Sequence, residues 1–176
     1  MTSSAVLLFL KNLLFTVLIP GTVAVYVPLL IASDASPPPD FPWTIRRYAA
    51  IAPLMTGAAL YFRCLWEFAT FGRGTPAPID APKRLVIRGP YRYVRNPMYV
   101  GVLLVIAGWV VYFASATLLL YAAAVAAVVH LFIVFYEEPT LRSTFGADYE
   151  RYTSEVNRWL PRLHHSQAAS GGGDGI

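Results

Sequence analysis

The sequence predicts an all-α fold, a multi-pass transmembrane helical bundle of about four spans that closes with a C-terminal amphipathic interfacial helix. Of its 176 residues, 56% are hydrophobic. Only 14% are charged, well below the roughly one quarter usual for soluble domains. The apolar residues come as long unbroken runs, and about 20 of them in a row are what a helix needs to cross the hydrocarbon core of a bilayer.

The first run, Ala5 to Ala32, carries Lys11 near its start and Pro20-Gly21 at its middle. That pair should kink the helix or split it into two tilted pieces, which would make five crossings. The run is too long for a signal-peptide core and reads as a retained anchor. From Ser33 to Pro42, three consecutive prolines forbid helix, because proline lacks the amide donor and restricts its predecessor. A second span follows from about Tyr48 to Phe71, in which Arg63 and Glu67 are one turn apart and should pair. The longest loop, Gly72 to Pro97, holds Arg73, Lys83, Arg84, Arg88, Arg92 and Arg95. Met98 to Phe113 and Thr117 to Tyr136 are almost wholly apolar and predict a tight hairpin turning at Ala114-Ser115-Ala116.

Beyond it, Leu141, Phe145, Tyr149, Tyr152 and Val156 recur every three or four residues, which predicts one amphipathic helix over residues 137–156. Residues 1–165 thus form a single integral membrane domain, and residues 166–176, with three glycines in a row, a disordered tail. Basic residues favour the cytoplasmic side. With four spans, the long loop, the C-terminal segment and the N-terminus all face inward, opposite Arg46 and Arg47. The lone cysteine, Cys64, excludes a disulfide framework and a CxxC metal site, and no metal is expected.

Chemistry concentrates in residues 88–101, where Arg88, Arg92 and Arg95 stand among Tyr91, Tyr93 and Tyr99 just before the third span. Arginine binds carboxylate or phosphate bidentately, and tyrosine rings face cations. Such a loop suits a small zwitterion such as S-adenosylmethionine. On composition alone it better suits a plain interfacial anchor, with tyrosines in the aromatic belt and arginines on lipid headgroups. Glu137-Glu138, at the exit of the last span, changes that weighting, because two adjacent carboxylates there need a cation to meet them.

The stretch Gly-Pro-Tyr-Arg-Tyr-Val-Arg-Asn-Pro-Met-Tyr-Val-Gly, paired with Glu-Glu-x-x-Leu-x-x-x-Phe-Gly-x-x-Tyr-x-x-Tyr, resembles the isoprenylcysteine carboxyl methyltransferase and phospholipid methyltransferase superfamily over Arg88 to Pro161. The resemblance implies an S-adenosylmethionine-dependent membrane methyltransferase with its cofactor in the C-terminal half, facing the cytoplasm. A lipophilic or small membrane-soluble acceptor, a carboxylate, thiol or amine, would enter from the lipid. By that likeness Arg92, Tyr93, Arg95, Asn96, Pro97, Tyr99, Gly101, Glu137 and Glu138 line the cofactor site, with Arg142. Glu138, Arg151 and Tyr152 are the catalytic candidates. Partners are the acceptor and membrane lipids, with no nucleic acid and no obligate protein partner expected.

The chain departs from the family pattern at Asn96, where relatives commonly carry histidine. Asparagine donates and accepts hydrogen bonds but shuttles no proton near neutral pH. It departs again at Val156-Asn157, where relatives have Val-Pro, and at Glu155, where they are often basic. Methyl transfer from a sulfonium needs orientation and desolvation more than a covalent residue. Glu138 is then a base, a ribose ligand, or simply the partner of Arg142 four residues on. Arg63, Glu67 and His130 read as structural glue, His164 and His165 as interfacial or tail residues, and Trp43, Trp109 and Trp159 as belt residues. Two other functions fit the same composition: a membrane sterol-type reductase using NADPH, and a lipid-binding protein without catalysis.

Overall fold

The computed structural model describes residues 3–33, 45–72 and 85–162, and these are helical with no strand among them. The expected proline loop, residues 73–84 of the basic loop and the C-terminal tail lie outside the described residues. Helix α1 covers residues 3–33, helix α2 residues 45–72, α3 Pro97–Phe113, α4 residues 116–145 and α5 Ala147–Glu155. Three stretches, Leu10–Ser33, Ile45–Thr70 and Ala116–Phe145, are long and apolar enough to cross a membrane, while α3 is a shorter apolar helix. Their outward faces are oily: Leu120 is 72% and Phe135 75% exposed, which suits lipid as the surrounding solvent.

Pro20 does not split α1. The stretch Val17–Tyr26 widens into a π-helix, and the chain continues as Val27–Ser33 without interruption. Such widening is one of the local adjustments that let proline stand inside a transmembrane helix. Pro28 has no N–H to give to the carbonyls of the preceding turn. Two of those carbonyls are supplied from outside: the Tyr121 hydroxyl donates to the Val23 oxygen at 2.7 Å, and the Trp109 indole donates to the Ala24 oxygen at 2.9 Å. The residue that disturbs α1 therefore also docks it, against α3 through Trp109 and against α4 through Tyr121.

Helices α2 and α3 pack backbone against backbone. A Cβ built on Gly57 would stand 2.6 Å from the Gly101 oxygen, and one on Gly101 would stand 2.8 Å from the Gly57 oxygen. Close approach through small residues is how helices associate where lipid removes the hydrophobic drive. The structure thus sets the empty side of Gly101 against the neighbouring helix, whose backbone fills the space its missing side chain leaves. Arg63 and Glu67 pair as expected, at 2.6 Å.

The hairpin turns where the sequence places it. Ala114 closes α3 with a left-handed φ of 50°, its N–H on the Val110 oxygen, and the Ser115 side chain accepts from the Leu118 N–H to start α4. The single amphipathic helix expected over residues 137–156 is instead two. Glu138–Phe145 ends α4, and Gly146, at φ 50° and ψ −124°, turns the chain before α5. Side chains rarely tolerate that conformation, so glycine decides the break. The apolar stripe survives it, because Tyr149, Tyr152 and Val156 still pack with Leu141, Phe145 and Leu85.

Replacing Gly57 or Gly101 by valine should cost about 1–3 kcal/mol through overpacking. Because both glycines serve one contact, the double variant should lose less than the sum. Melting temperatures of the detergent-purified protein check both statements.

Candidate functional site

The polar end of the bundle is assembled where the loop before α3 meets the segment after α5. Gly89–Arg92 makes one 3-10 turn, begun by Pro90, and Pro97 opens α3 at its first position, where a missing N–H costs nothing. Between them the loop is tied down from the C-terminal side. The Tyr152 hydroxyl donates to the Tyr91 oxygen at 2.7 Å, the Arg95 N–H donates to the Asn157 oxygen at 2.8 Å, and Val94 bridges to Asn157. Asn96 Nδ2 donates to the Arg158 oxygen over a longer 3.4 Å.

Glu138 is 7% exposed and sits at the centre of this junction. Arg158 grips both of its oxygens, Nε to Oε1 at 2.8 Å and Nη2 to Oε2 at 2.9 Å. This is the fork geometry that makes arginine–carboxylate pairs strong. The bond to Glu138 holds the Arg158 guanidinium above its ordinary pKa. Arg95 stands further off, with Nη1 at 3.4 Å from Oε1, and its Nε is buried without a hydrogen-bond partner.

Glu137 faces elsewhere, since successive helix residues point about 100° apart. Its Oε2 accepts from the Tyr99 hydroxyl at 2.8 Å. Both residues line a cavity of about 150 Å³, whose polar end is completed by Tyr91, Arg95 and Asn96. The remaining wall is largely apolar and comes from four helices, Phe15, Ile19, Pro20 and Val23 of α1, Tyr61 and Phe68 of α2, Met98 and Val102 of α3, and Val125 and Val129 of α4.

Of the residues expected here, the structure brings Arg95, Asn96, Tyr99 and Glu137 together on the cavity and sets Glu138 immediately behind Arg95. Pro97 is buried as a helix start. Arg92 and Tyr93 are exposed on the 3-10 turn and off the cavity. Of the three roles open to Glu138, the pair with Arg142 does not form: Arg142 pairs with Glu150 at 2.5 Å across the Gly146 turn and lies over the Tyr149 ring. The turn carries α5 back beside it, while Arg158 has already taken both Glu138 oxygens. Arg151 and Tyr152 line a separate, more open hollow of about 430 Å³ with Leu85, Ile87, Phe145, Asp148 and Glu155.

Tyr152 is buried, and burial pushes its phenol above the ordinary value, so it remains a protonated donor committed to the Tyr91 oxygen. Burial also pushes the Tyr149 phenol up to about 12. Sequence reasoning missed Arg158 and Asn157, whose stretch registers there only as a departure from Val-Pro. The available signal was a buried carboxylate in need of a cation, but the partner stands twenty residues away. His130, read as glue, accepts from the Trp159 indole at 3.3 Å, so the segment after α5 is also held against α4.

A family model described as phospholipid methyltransferase matches residues 45–148, from the start of α2 into α5. The match includes the Arg95–Asn96 loop and both carboxylates, and Arg158 lies beyond it. An uncharacterized protein of Haemophilus influenzae is 33% identical over 63 residues, which is 36% of this chain and 100% of that protein.

Removing the Tyr152 hydroxyl, as Tyr152→Phe, should cost about 1 kcal/mol by leaving the Tyr91 oxygen without its donor. Glu138→Ala should cost more, about 3–5 kcal/mol, because it strands Arg158 and Arg95 beside each other. Thermal unfolding of the two variants side by side tests that order.

Proposed function

The chain belongs to the phospholipid methyltransferase family, and from that premise we propose that it transfers a methyl group from S-adenosylmethionine to a lipophilic or small membrane-soluble acceptor at the cytoplasmic face of the membrane. The observation that carries the reading is the cavity, largely apolar along α1, α2, α3 and α4 and ending at Arg95, Asn96, Tyr99 and Glu137. The residues fit the cofactor's charges. The unpartnered Arg95 Nε–H suits its carboxylate, and the Glu137 carboxylate among tyrosines suits a cation. When bound, S-adenosylmethionine supplies a methyl group on a sulfonium, which an aligned nucleophile takes without a covalent enzyme intermediate.

The chain's own work is then binding, alignment, exclusion of water and one proton transfer. Tyr99 fixes Glu137 Oε2 and leaves Oε1 to receive a proton from an amine or thiol acceptor. The apolar wall keeps water from the reacting centre. Asn96, tied to the Arg158 oxygen, contributes hydrogen bonds and no proton transfer. Glu138 is held by Arg158 as the centre of an ion pair, which fits it to positioning and makes Glu137 the better base. A carboxylate acceptor would meet repulsion from Glu137, so the geometry favours an amine or thiol. The cytoplasmic assignment rests on Arg88, Arg92, Arg95, Arg142, Arg151 and Arg158 clustering at this end of the helices.

S-adenosylmethionine or its demethylated product should raise the melting temperature of the detergent-purified protein while NADPH leaves it unchanged, since a ligand of the folded state must stabilise it. Glu137→Gln should reduce that stabilisation, because it removes the carboxylate that meets the cofactor's cation, and should also lose about a hundredfold in turnover once an acceptor is found. Stabilisation by NADPH alone would replace the methyltransferase reading with a reductase.

A further inference from the structure

We infer that Arg158 is a positioning residue: by occupying both oxygens of Glu138 it keeps Arg95 from closing onto that carboxylate, so that the Arg95 Nε–H stays available to an anionic group of a ligand in the cavity. Four observations meet here. Arg158 makes the full fork on Glu138, at 2.8 and 2.9 Å. Arg95 approaches the same carboxylate only through Nη1, at 3.4 Å. The Arg95 Nε is buried and has no partner, although a buried unpaired donor on a cation is costly. Arg95 also lines the cavity, whereas Glu138 and Arg158 do not.

The Arg158 fork occupies one in-plane position on each Glu138 oxygen, so while it holds, Arg95 meets that carboxylate only through its single long Nη1 contact and keeps its other donors for a second group. Without Arg158, the nearest cation able to neutralise the buried Glu138 is Arg95, whose backbone is already anchored by its N–H on the Asn157 oxygen. Rotation of its side chain would convert the single long contact into a fork and turn the guanidinium away from the cavity that Arg95 lines. The charges then make sense as a set. Arg158 balances Glu138, and Arg95 and Glu137 remain as a separated positive and negative pair on the cavity wall, complementary to a zwitterion. The anion could be the carboxylate of the methyl donor or the phosphate of a lipid, which present the same oxygens to arginine. The inference takes one of its probes from the methyltransferase reading, but its geometry stands on the ion pairs alone.

The test uses the full chain in detergent as wild type, Arg158→Gln, Arg158→Lys and the double variant Arg158→Gln/Glu138→Gln. Affinity is measured for S-adenosylhomocysteine, for 5′-methylthioadenosine, which lacks the amino-acid end, and for a short-chain phosphatidylglycerol. Arg158→Gln should weaken the anion-bearing ligand by at least about tenfold, the worth of a charged hydrogen bond. The double variant should recover most of that loss, because Arg95 no longer has a carboxylate to close onto. Arg158→Lys should fall between, since lysine neutralises Glu138 without the fork. Binding of 5′-methylthioadenosine should not follow the series, and whichever anionic probe does follow it identifies the source of the anion.

A second readout needs no ligand. The Arg95 Nε–H resonance in arginine-labelled protein, assigned through Arg95→Lys, should move downfield in Arg158→Gln and return in the double variant. If Arg158→Gln binds every probe as wild type does, or if the double variant is no better than the single, Arg158 is only a brace and the inference fails. If wild type binds no S-adenosyl compound, the cofactor proposal fails, and the lipid probe and the resonance then decide the role of Arg158.

Discussion

The fork between Arg158 and Glu138 is the contact on which the polar end of the molecule depends. A carboxylate 7% exposed at the mouth of a membrane helix is tolerable only if a cation meets it with good geometry. Meeting it obliges the chain to return after α5 along the loop before α3. That return lays Asn157 against Val94 and Arg95, and puts the Arg158 oxygen within reach of Asn96. The loop carrying Arg95 and Asn96 has no regular structure beyond one 3-10 turn, so its shape is borrowed from this returning segment and from the Tyr152 hydroxyl. One ion pair therefore fixes three stretches that are far apart in sequence.

The opposite wall of the cavity answers to a different constraint, the cost of an unpaired backbone carbonyl in hydrocarbon. Pro28 creates that cost in α1, and Trp109 and Tyr121 remove it by donating to Ala24 and Val23. Nearer the polar end, the Thr16 hydroxyl meets the Tyr61 hydroxyl at 2.9 Å and joins α1 to α2. Between these ties lie Ile19, Pro20 and Val23, the part of α1 that faces the cavity. The prolines that complicate the helix thus hold it at the distance that leaves a cavity open, using polar contacts where apolar packing against lipid would give no preference.

Much of this was legible in the sequence, for physical reasons that differ by element. The α3–α4 hairpin was legible because two apolar runs separated by Ala114-Ser115-Ala116 leave no other place to turn. The Arg63–Glu67 pair follows from helical spacing alone. Arg95, Asn96, Tyr99 and Glu137 could be grouped because they flank one hairpin and their family pattern is local. Three features were hidden. Gly101 looks the same whether a ligand or a helix fills its empty side, and only the position of Gly57 decides. Gly146 sits inside an unbroken apolar stripe, so periodicity runs straight through the turn it makes. Arg158 reaches Glu138 by that turn, and a contact made through a reversal of direction leaves no periodic trace.

Adjacent glutamates come to serve different surroundings through a change in the pitch of α4. Val125, Val129 and Glu137 all line the cavity. In an uninterrupted α-helix, at about 100° per residue, Glu137 would stand about 120° around the axis from Val125 and roughly 80° from Val129, turned away from the face they share. The stretch Ile133–Glu137 is instead a π-turn, with the Glu138 N–H on the Ile133 oxygen. A π-turn takes in one extra residue and so returns about one residue's rotation, roughly 100°, which brings Glu137 to within about 20° of Val125. The same adjustment leaves Glu138 one step further round, on the side where Arg158 and Arg95 arrive. The wide turn thus gives the Glu-Glu pair its division of labour, one carboxylate placed on the cavity beside Tyr99 and the other neutralised behind it.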